Sequence, residues 1–239
     1  MVTAIVVSGG SGSRAGQAVP KQYLTVNEIP VIAYTLMNLQ KVPEIDKIVV
    51  VAAEGWGNFI YAYATQFGVT KFSEVVLGGT TRNESIYNGL RALAGDGGTE
   101  KVCLVDANRP LVPLEVINNV IKLADKCDCA MVMEPCYDSM FWSENGVTVE
   151  QNAPRTKLFK QAGPECASLE TLLALYEDDN TRNIKELSTA GLAVSRGKKV
   201  LAAKGHIKCF KITTADDFEL FKAFLAAEPL YDIVRRVEK

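Results

Sequence analysis

The chain has 239 residues, 48% hydrophobic and 23% charged, with a formal net charge of −2. That length can bury an ample core without disulfide or metal staples, and the composition is that of an ordinary globular protein. The absence of a basic excess weighs against a general nucleic-acid binder, and no apolar run is long enough to span a bilayer.

The N-terminus lacks the basic region and apolar core of a signal peptide, so a cytoplasmic location is expected. The six cysteines (103, 127, 129, 136, 166, 209) form no Cys-x-x-Cys pair. Cys127-x-Cys129 has no nearby partners for zinc, so reduced, mostly buried thiols are expected. The single histidine, His206, makes a multi-histidine metal site impossible and leaves one candidate for any Ser–His–Asp triad.

In chain order, Thr3–Ser8 reads as a buried strand, and Val31–Val42 carries helical spacing. Lys47–Ala53 is a second strand, followed by a helix around Trp56–Phe67. Glu74–Leu77 is a short strand before a helix from Asn83 to Ala94. Lys101–Ala107 and Ala130–Glu134 are further strands, separated by a helix at Leu114–Lys126. Val- and Ile-rich strands alternating with helices predict an α/β fold with a mostly parallel sheet and right-handed crossovers.

The pattern then changes. Residues 139–162 lack helical periodicity, and Glu144-Asn145-Gly146 is a hairpin signal. Phe141 and Trp142 precede it, and Val147 and Val149 alternate after it. A projecting β-arm is expected, its exposed apolar residues covered by a second subunit. A helix at Ser168–Tyr176 follows, then an acidic solvated loop at Glu177–Asn180. Val200–Lys204 and His206–Ile212 read as strands. Thr213, Thr214 and Asp216 open a helix at Asp217–Ala227, with a last short helix after Pro229. No repeat or linker divides residues 1–239, so a single domain with the 139–162 arm is expected.

The chemistry is concentrated just past the first strand, in SGGSGSRAGQAVPKQYL (Ser8–Leu24). Ligands in open α/β sheets bind beyond the strands' carboxyl ends. There Gly9, Gly10 and Gly12 let backbone N–H groups approach an anion, with Ser8 beside them. Arg14 adds a forked donor and Lys21 a compact charge. Gly10-x-Gly12-x-x-Ala15 also fits a dinucleotide fingerprint. Pro20, however, interrupts the helix that should follow, and Glu54 is too distant for the usual ribose acid. The P-loop pattern is missing too. A plain glycine turn is the remaining structural reading of the stretch taken alone.

This stretch resembles the signature of nucleotidyltransferases that join a nucleoside triphosphate to a phosphorylated small molecule. The nearest resemblance is to the methylerythritol phosphate and ribitol phosphate cytidylyltransferases. Three more segments carry it in order: GGTTRNESIYNGL (Gly78–Leu90), LVDANRPLV (Leu104–Val112) and HIKCFKITTADDF (His206–Phe218). The resemblance implies a Rossmann-like fold of the nucleotide-diphospho-sugar transferase type. It implies transfer of the cytidylyl group of CTP to 2-C-methyl-D-erythritol 4-phosphate or ribitol 5-phosphate, with release of pyrophosphate and use of Mg²⁺.

By the same resemblance, Arg14, Lys21 and Lys211 are catalytic. Ser8, Gly9, Gly10, Gly12, Gly79, Thr80, Arg82 and Ser85 bind CTP. Asp106 is the metal ligand. Asp106, Arg109, Ser139 and Arg155 serve the substrates, Arg155 across a homodimer interface. The chain departs from the family pattern mainly on the acceptor side. Gly163-Pro164-Glu165 replaces Thr-Pro-Gln, adding a negative charge, Cys209 replaces an asparagine, and Glu186 and Ser188 replace an acidic pair. Two rival readings stay open: a nucleotide-binding homologue that no longer turns over, and an NAD(P)-dependent oxidoreductase.

Overall fold

A computed structural model of the chain describes residues 1–9, 19–95, 97–177 and 187–237, residues 228–237 by backbone alone. Its main sheet has seven strands. In chain order these are β1 (Val2–Ser8), β4 (Lys47–Ala52), β5 (Phe72–Leu77), β6 (Lys101–Asp106), β7 (Cys129–Pro135), β10 (Phe159–Ser168) and β11 (Val200–Lys204). Two small ribbons supply the remaining strands: β2 (Thr25–Val26) with β3 (Ile29–Pro30), and β8 (Met140–Trp142) with β9 (Gln151–Ala153).

The sheet runs β11-β7-β10-β6-β1-β4-β5, and every pairing is parallel except those of β10 with β6 and β7. The helices are α1 (Val31–Gln40), α2 (Gly57–Gln66), α3 (Arg82–Ala94), α4 (Leu114–Leu123), α5 (Leu169–Tyr176), α6 (Thr189–Ser195) and α7 (Ala215–Val237).

Alternation along the strands divides the core between the two faces. Ala4, Val6, Val50, Cys103 and Val105 point to the side covered by α1 and α4, with Ile32, Leu36, Val116 and Val120. Ile5, Val49, Val51, Val102 and Leu104 point to the side of α3, α5 and α6, with Ile86, Leu90, Leu172 and Leu192. A strand buried on both faces must be apolar at consecutive positions, which is why β1, β4 and β6 read as continuous hydrophobic runs. Gly89 on α3 packs so close to the sheet that a Cβ there would lie 2.8 Å from Val51 Cγ2.

Strand β10 departs from the sequence-based expectation, which places its first residues in the arm and its last at a helix start. Its middle is Gly163-Pro164-Glu165, which reads locally as a turn. The sheet accommodates it by a register shift between Gln161 and Glu165 in the pairing with β7. Pro164 falls inside that irregularity, where the ladder tolerates a missing N–H donor. A Cβ on Gly163 would lie 3.1 Å from Val132 Cβ.

The segment after β11 also differs from expectation. His206–Ile212 is not a strand; Ile207–Cys209 forms a 3-10 turn, with His206 Nδ1 accepting from Lys208 N at 3.1 Å. Its backbone groups pair with the loop after β6 instead of the sheet. Ile212 N donates to Asn108 O at 3.0 Å, and Asn108 Nδ2 donates to Ile212 O at 2.8 Å.

The helix that follows runs unbroken through Pro229 instead of dividing there. Proline forfeits a single backbone bond, and the turns on either side stay helical. Asp217 anchors its start, one carboxylate oxygen accepting from the N–H groups of Thr213 and Thr214 at 2.8 and 2.7 Å. Of the acidic 177–180 stretch, residues from 178 on lie outside the described residues, as does Glu186.

The arm is present as the ribbon β8–β9. Asn145 closes its tip, Oδ1 accepting from Val147 N and Thr148 N at 2.9 and 2.8 Å, and Gly146 takes φ +71°.

Candidate active site

A cavity of about 690 Å³ opens at the carboxyl ends of β1, β4, β5 and β6. This is the ligand position expected of an open α/β sheet. Its back wall is the meeting of two backbone segments around Ser85. The Ser85 hydroxyl accepts from Gly79 N at 3.0 Å and donates to Thr81 O at 2.9 Å. A Cβ on Gly9 would lie 2.7 Å from the Ser85 Oγ, and one on Gly78 would lie 3.0 Å from it. Glycine at position 9 lets the first loop approach α3, and glycine at position 78 keeps the segment before α3 clear of the same hydroxyl. Ser85 is buried. Its hydroxyl shapes the wall by joining Gly79 N to Thr81 O.

Thr81 caps α3, its side chain accepting from Glu84 N at 3.0 Å. The Glu84 carboxylate turns back to accept from Thr80 N and Thr80 Oγ1, each at 2.7 Å. The T-x-x-E spacing thus holds the 79–81 turn rigid beside the cavity.

On the other wall, Pro20 leads into a 3-10 turn, Lys21–Tyr23. Gln22 Nε2 donates to Ser8 O at 2.9 Å, and the Ser8 and Tyr23 hydroxyls share a bond of 3.0 Å. The Tyr23 ring stacks on Trp56 at 3.6 Å between centroids. Lys21, carried by this anchored turn, lines the cavity.

Asp106, the last residue of β6, forms the floor and the centre of a charge cluster. Its Oδ2 lies 3.1 Å from both Lys211 Nζ and Arg109 Nε, and its Oδ1 lies 3.6 Å from Arg82 Nε. Burial alone would raise the Asp106 carboxyl. Lys211, Arg82 and Arg109 outweigh it and hold the group well below the usual carboxylate range. Arg109 is buried and also donates to Cys209 O at 2.5 Å, so it braces the 206–212 segment that carries Lys211.

Of the residues proposed from sequence, Ser8, Gly9, Lys21, Gly79, Thr80, Arg82, Ser85, Asp106 and Lys211 surround one cavity. Arg109 stands behind it, through Asp106. Ser139 and Arg155 lie on the exposed arm, away from the cavity of their own chain, with Arg155 Nη1 donating to Tyr137 O at 2.9 Å. Gly10, Gly12 and Arg14 lie outside the described residues. Sequence reasoning gives no role to Gln22, whose only signal is its place after Pro-Lys. Glu165 stands out in the sequence only as an added charge.

No group of three His, Cys, Asp or Glu side chains placed to hold a metal occurs among the described residues. Asp106 can offer one carboxylate oxygen, the usual protein share of a Mg²⁺ ion that takes its other ligands from phosphates and water.

The model of the 2-C-methyl-D-erythritol 4-phosphate cytidylyltransferase family matches residues 2–227. The chain belongs to this family. A ribitol-5-phosphate cytidylyltransferase from Lacticaseibacillus paracasei is 33% identical over 234 residues, spanning 96% of this chain and all of that protein. A 2-C-methyl-D-erythritol 4-phosphate cytidylyltransferase from Geotalea uraniireducens is 32% identical over 225 residues, 94% of this chain and 96% of that one.

The fold is shared with the 4-diphosphocytidyl-2C-methyl-D-erythritol synthase of Anaerococcus prevotii. That structure has a TM-score of 0.81 at 24% identity, covering 94% of this chain and 96% of the other. The chain is thus a cytidylyltransferase of the methylerythritol phosphate or ribitol phosphate type, with CTP as a substrate.

Proposed function

We propose that this cytidylyltransferase transfers the cytidylyl group of CTP to ribitol 5-phosphate. An oxygen of the acceptor phosphate attacks the α-phosphorus of CTP, and the bond to the pyrophosphate leaving group breaks. Support for the acceptor comes from the Lacticaseibacillus relative, matched along its whole length. The second reading, 2-C-methyl-D-erythritol 4-phosphate, is favoured by the family model itself.

The observation that carries the chemistry is that Lys21 and Lys211 line one cavity, with Asp106 3.1 Å from the Lys211 ammonium. Two anions must meet here, and their transition state carries more concentrated charge than either. Catalysis is therefore positioning and fixed positive charge. Lys21 and Lys211 bind and hold the phosphates, and the resemblance assigns Arg14 the same role. The wall from Gly78 to Ser85 receives the nucleoside. Asp106 would hold a Mg²⁺ ion, which would supply charge neutralisation to the triphosphate.

Purified protein with CTP and Mg²⁺ is expected to release pyrophosphate with ribitol 5-phosphate and to yield CDP-ribitol. Turnover with 2-C-methyl-D-erythritol 4-phosphate alone would transfer the assignment to the second reading. CTP binding without turnover on either acceptor would identify a non-catalytic homologue.

The whole chain, 1–239, is read as one catalytic domain of a cytoplasmic homodimer. The 139–162 arm is its contact. Phe141, Trp142, Val147 and Val149 are more than half exposed on that arm, an apolar surface suited to a second copy. Such a copy would bring the partner's Arg155 towards a cavity that the chain's own Arg155 does not reach. Wild-type protein is expected to sediment as a dimer, and a Phe141→Ser, Trp142→Ser variant as a folded monomer. A variant that stays dimeric would remove the arm from the interface.

A further inference from the structure

The antiparallel strand β10 places a carboxylate where no local pattern announces one. Glu165 is only 1% exposed. Its Oε1 accepts from Ala190 N, at the start of α6, at 2.7 Å. Its Oε2 lies 3.6 Å from Arg82 Nη2. Arg82 lines the cavity, and its Nε lies 3.6 Å from Asp106 Oδ1. The guanidinium is therefore suspended between two carboxylates, one at the cavity floor and one behind the wall.

We propose that Glu165 is a positioning residue for the nucleotide site, acting through Arg82. Asp106 already pairs with Lys211 and Arg109. A guanidinium with no second anchor is drawn fully onto Asp106, where it competes with Lys211 for the same carboxylate. Glu165 holds Arg82 back against the wall, leaving Asp106 to fix Lys211.

The anchor is itself rigid. Its strand is paired on both sides, with Glu165 opposite Leu104 and Met131. The helix start it caps is pinned by the Tyr176 and Thr189 hydroxyls at 2.8 Å. Burying a carboxylate is costly unless it is paired, and here the pairing carries a consequence for the cavity. The sheet strand that emerges from the arm is thereby tied to the wall that receives CTP.

The proposal rests on CTP occupying this cavity, and its test needs no acceptor. CTP affinity is measured by calorimetry for wild type, Glu165→Gln, Arg82→Gln and the double variant, with a thermal melt for each. Glutamine keeps the shape, and its carbonyl can still accept from Ala190 N, so the fold is expected to survive. Should Glu165→Gln fail to fold, Glu165→Asp carries the same cycle, with the charge retained but withdrawn from Arg82.

The expected result is CTP binding weakened about tenfold by Glu165→Gln alone, and by less than about twofold when Arg82 is already glutamine. Unchanged CTP affinity in Glu165→Gln, or the same loss in both backgrounds, overturns the proposal and leaves Glu165 a structural residue. Wild-type protein that binds no CTP overturns the functional reading as well, which separates the two failures.

Discussion

Lys21→Ala is expected to lower the rate of pyrophosphate release at saturating substrates by about a thousandfold, with the melting temperature little changed. The turn that carries Lys21 is held by its neighbours. Gln22 bonds the Ser8 carbonyl, and Tyr23 bonds the Ser8 hydroxyl and stacks on Trp56. Removing the Lys21 side chain leaves all of these anchors in place. What disappears is one of the cations that line the cavity together with Lys211.

The transition state has more charge to stabilise than the bound reactants, so the loss should fall on kcat more than on KM. Lys21→Arg is expected to recover little, because a planar fork does not reproduce a compact ammonium on the same turn. Retained pyrophosphate release in Lys21→Ala would exclude the lysine from the chemistry.

Asp106→Asn is expected to damage both stability and activity. The substitution leaves Lys211, Arg82 and Arg109 crowded round a neutral group. Breaking a buried ion pair from one side costs about 3 kcal/mol, which for a chain of this size lowers the melting temperature by about 10 °C. Lys211 loses its fixed partner, and kcat/KM should fall at least about a hundredfold.

The pH dependence gives this prediction a sign. The folded-state pKa of Asp106 is depressed, so its stabilisation is fully present above its unfolded value and is lost as pH falls towards the folded one. The gap in melting temperature between wild type and Asp106→Asn should hold constant from about pH 8 to pH 5 and narrow below about pH 4. A gap that widens on acidification would contradict this charge cluster.

The strands and helices that build the sheet's parallel part are legible in the sequence because their signals are local. No single position needs a strong signal when most of a run, as in Lys47–Ala52 or Lys101–Asp106, is apolar towards both faces of the sheet. The site's lysines and Asp106 are legible through motifs, and the glycine at position 9 through the turn it allows. Arg109 is legible as a support for nearby charge, although its bond to Cys209 O is not.

The departures share a cause. Phe159–Ser168 contains Gly-Pro-Glu, which is turn-like by local chemistry, and it is a strand only because β6 and β7 lie on either side of it. His206–Ile212 alternates like a strand, yet its backbone partners are Asn108 and Arg109 instead of a sheet edge.

By itself, then, the sequence determined the α/β alternation and the motifs whose residues Lys21, Asp106 and Lys211 line one cavity. Only the tertiary structure decided that Arg82 hangs between Asp106 and Glu165, and that the Ser85 hydroxyl joins Gly79 N to Thr81 O. Periodicity and motif are written in neighbouring residues. The pairing of a carboxylate at 165 with an arginine at 82 exists only once two distant strands and a helix start have been brought together.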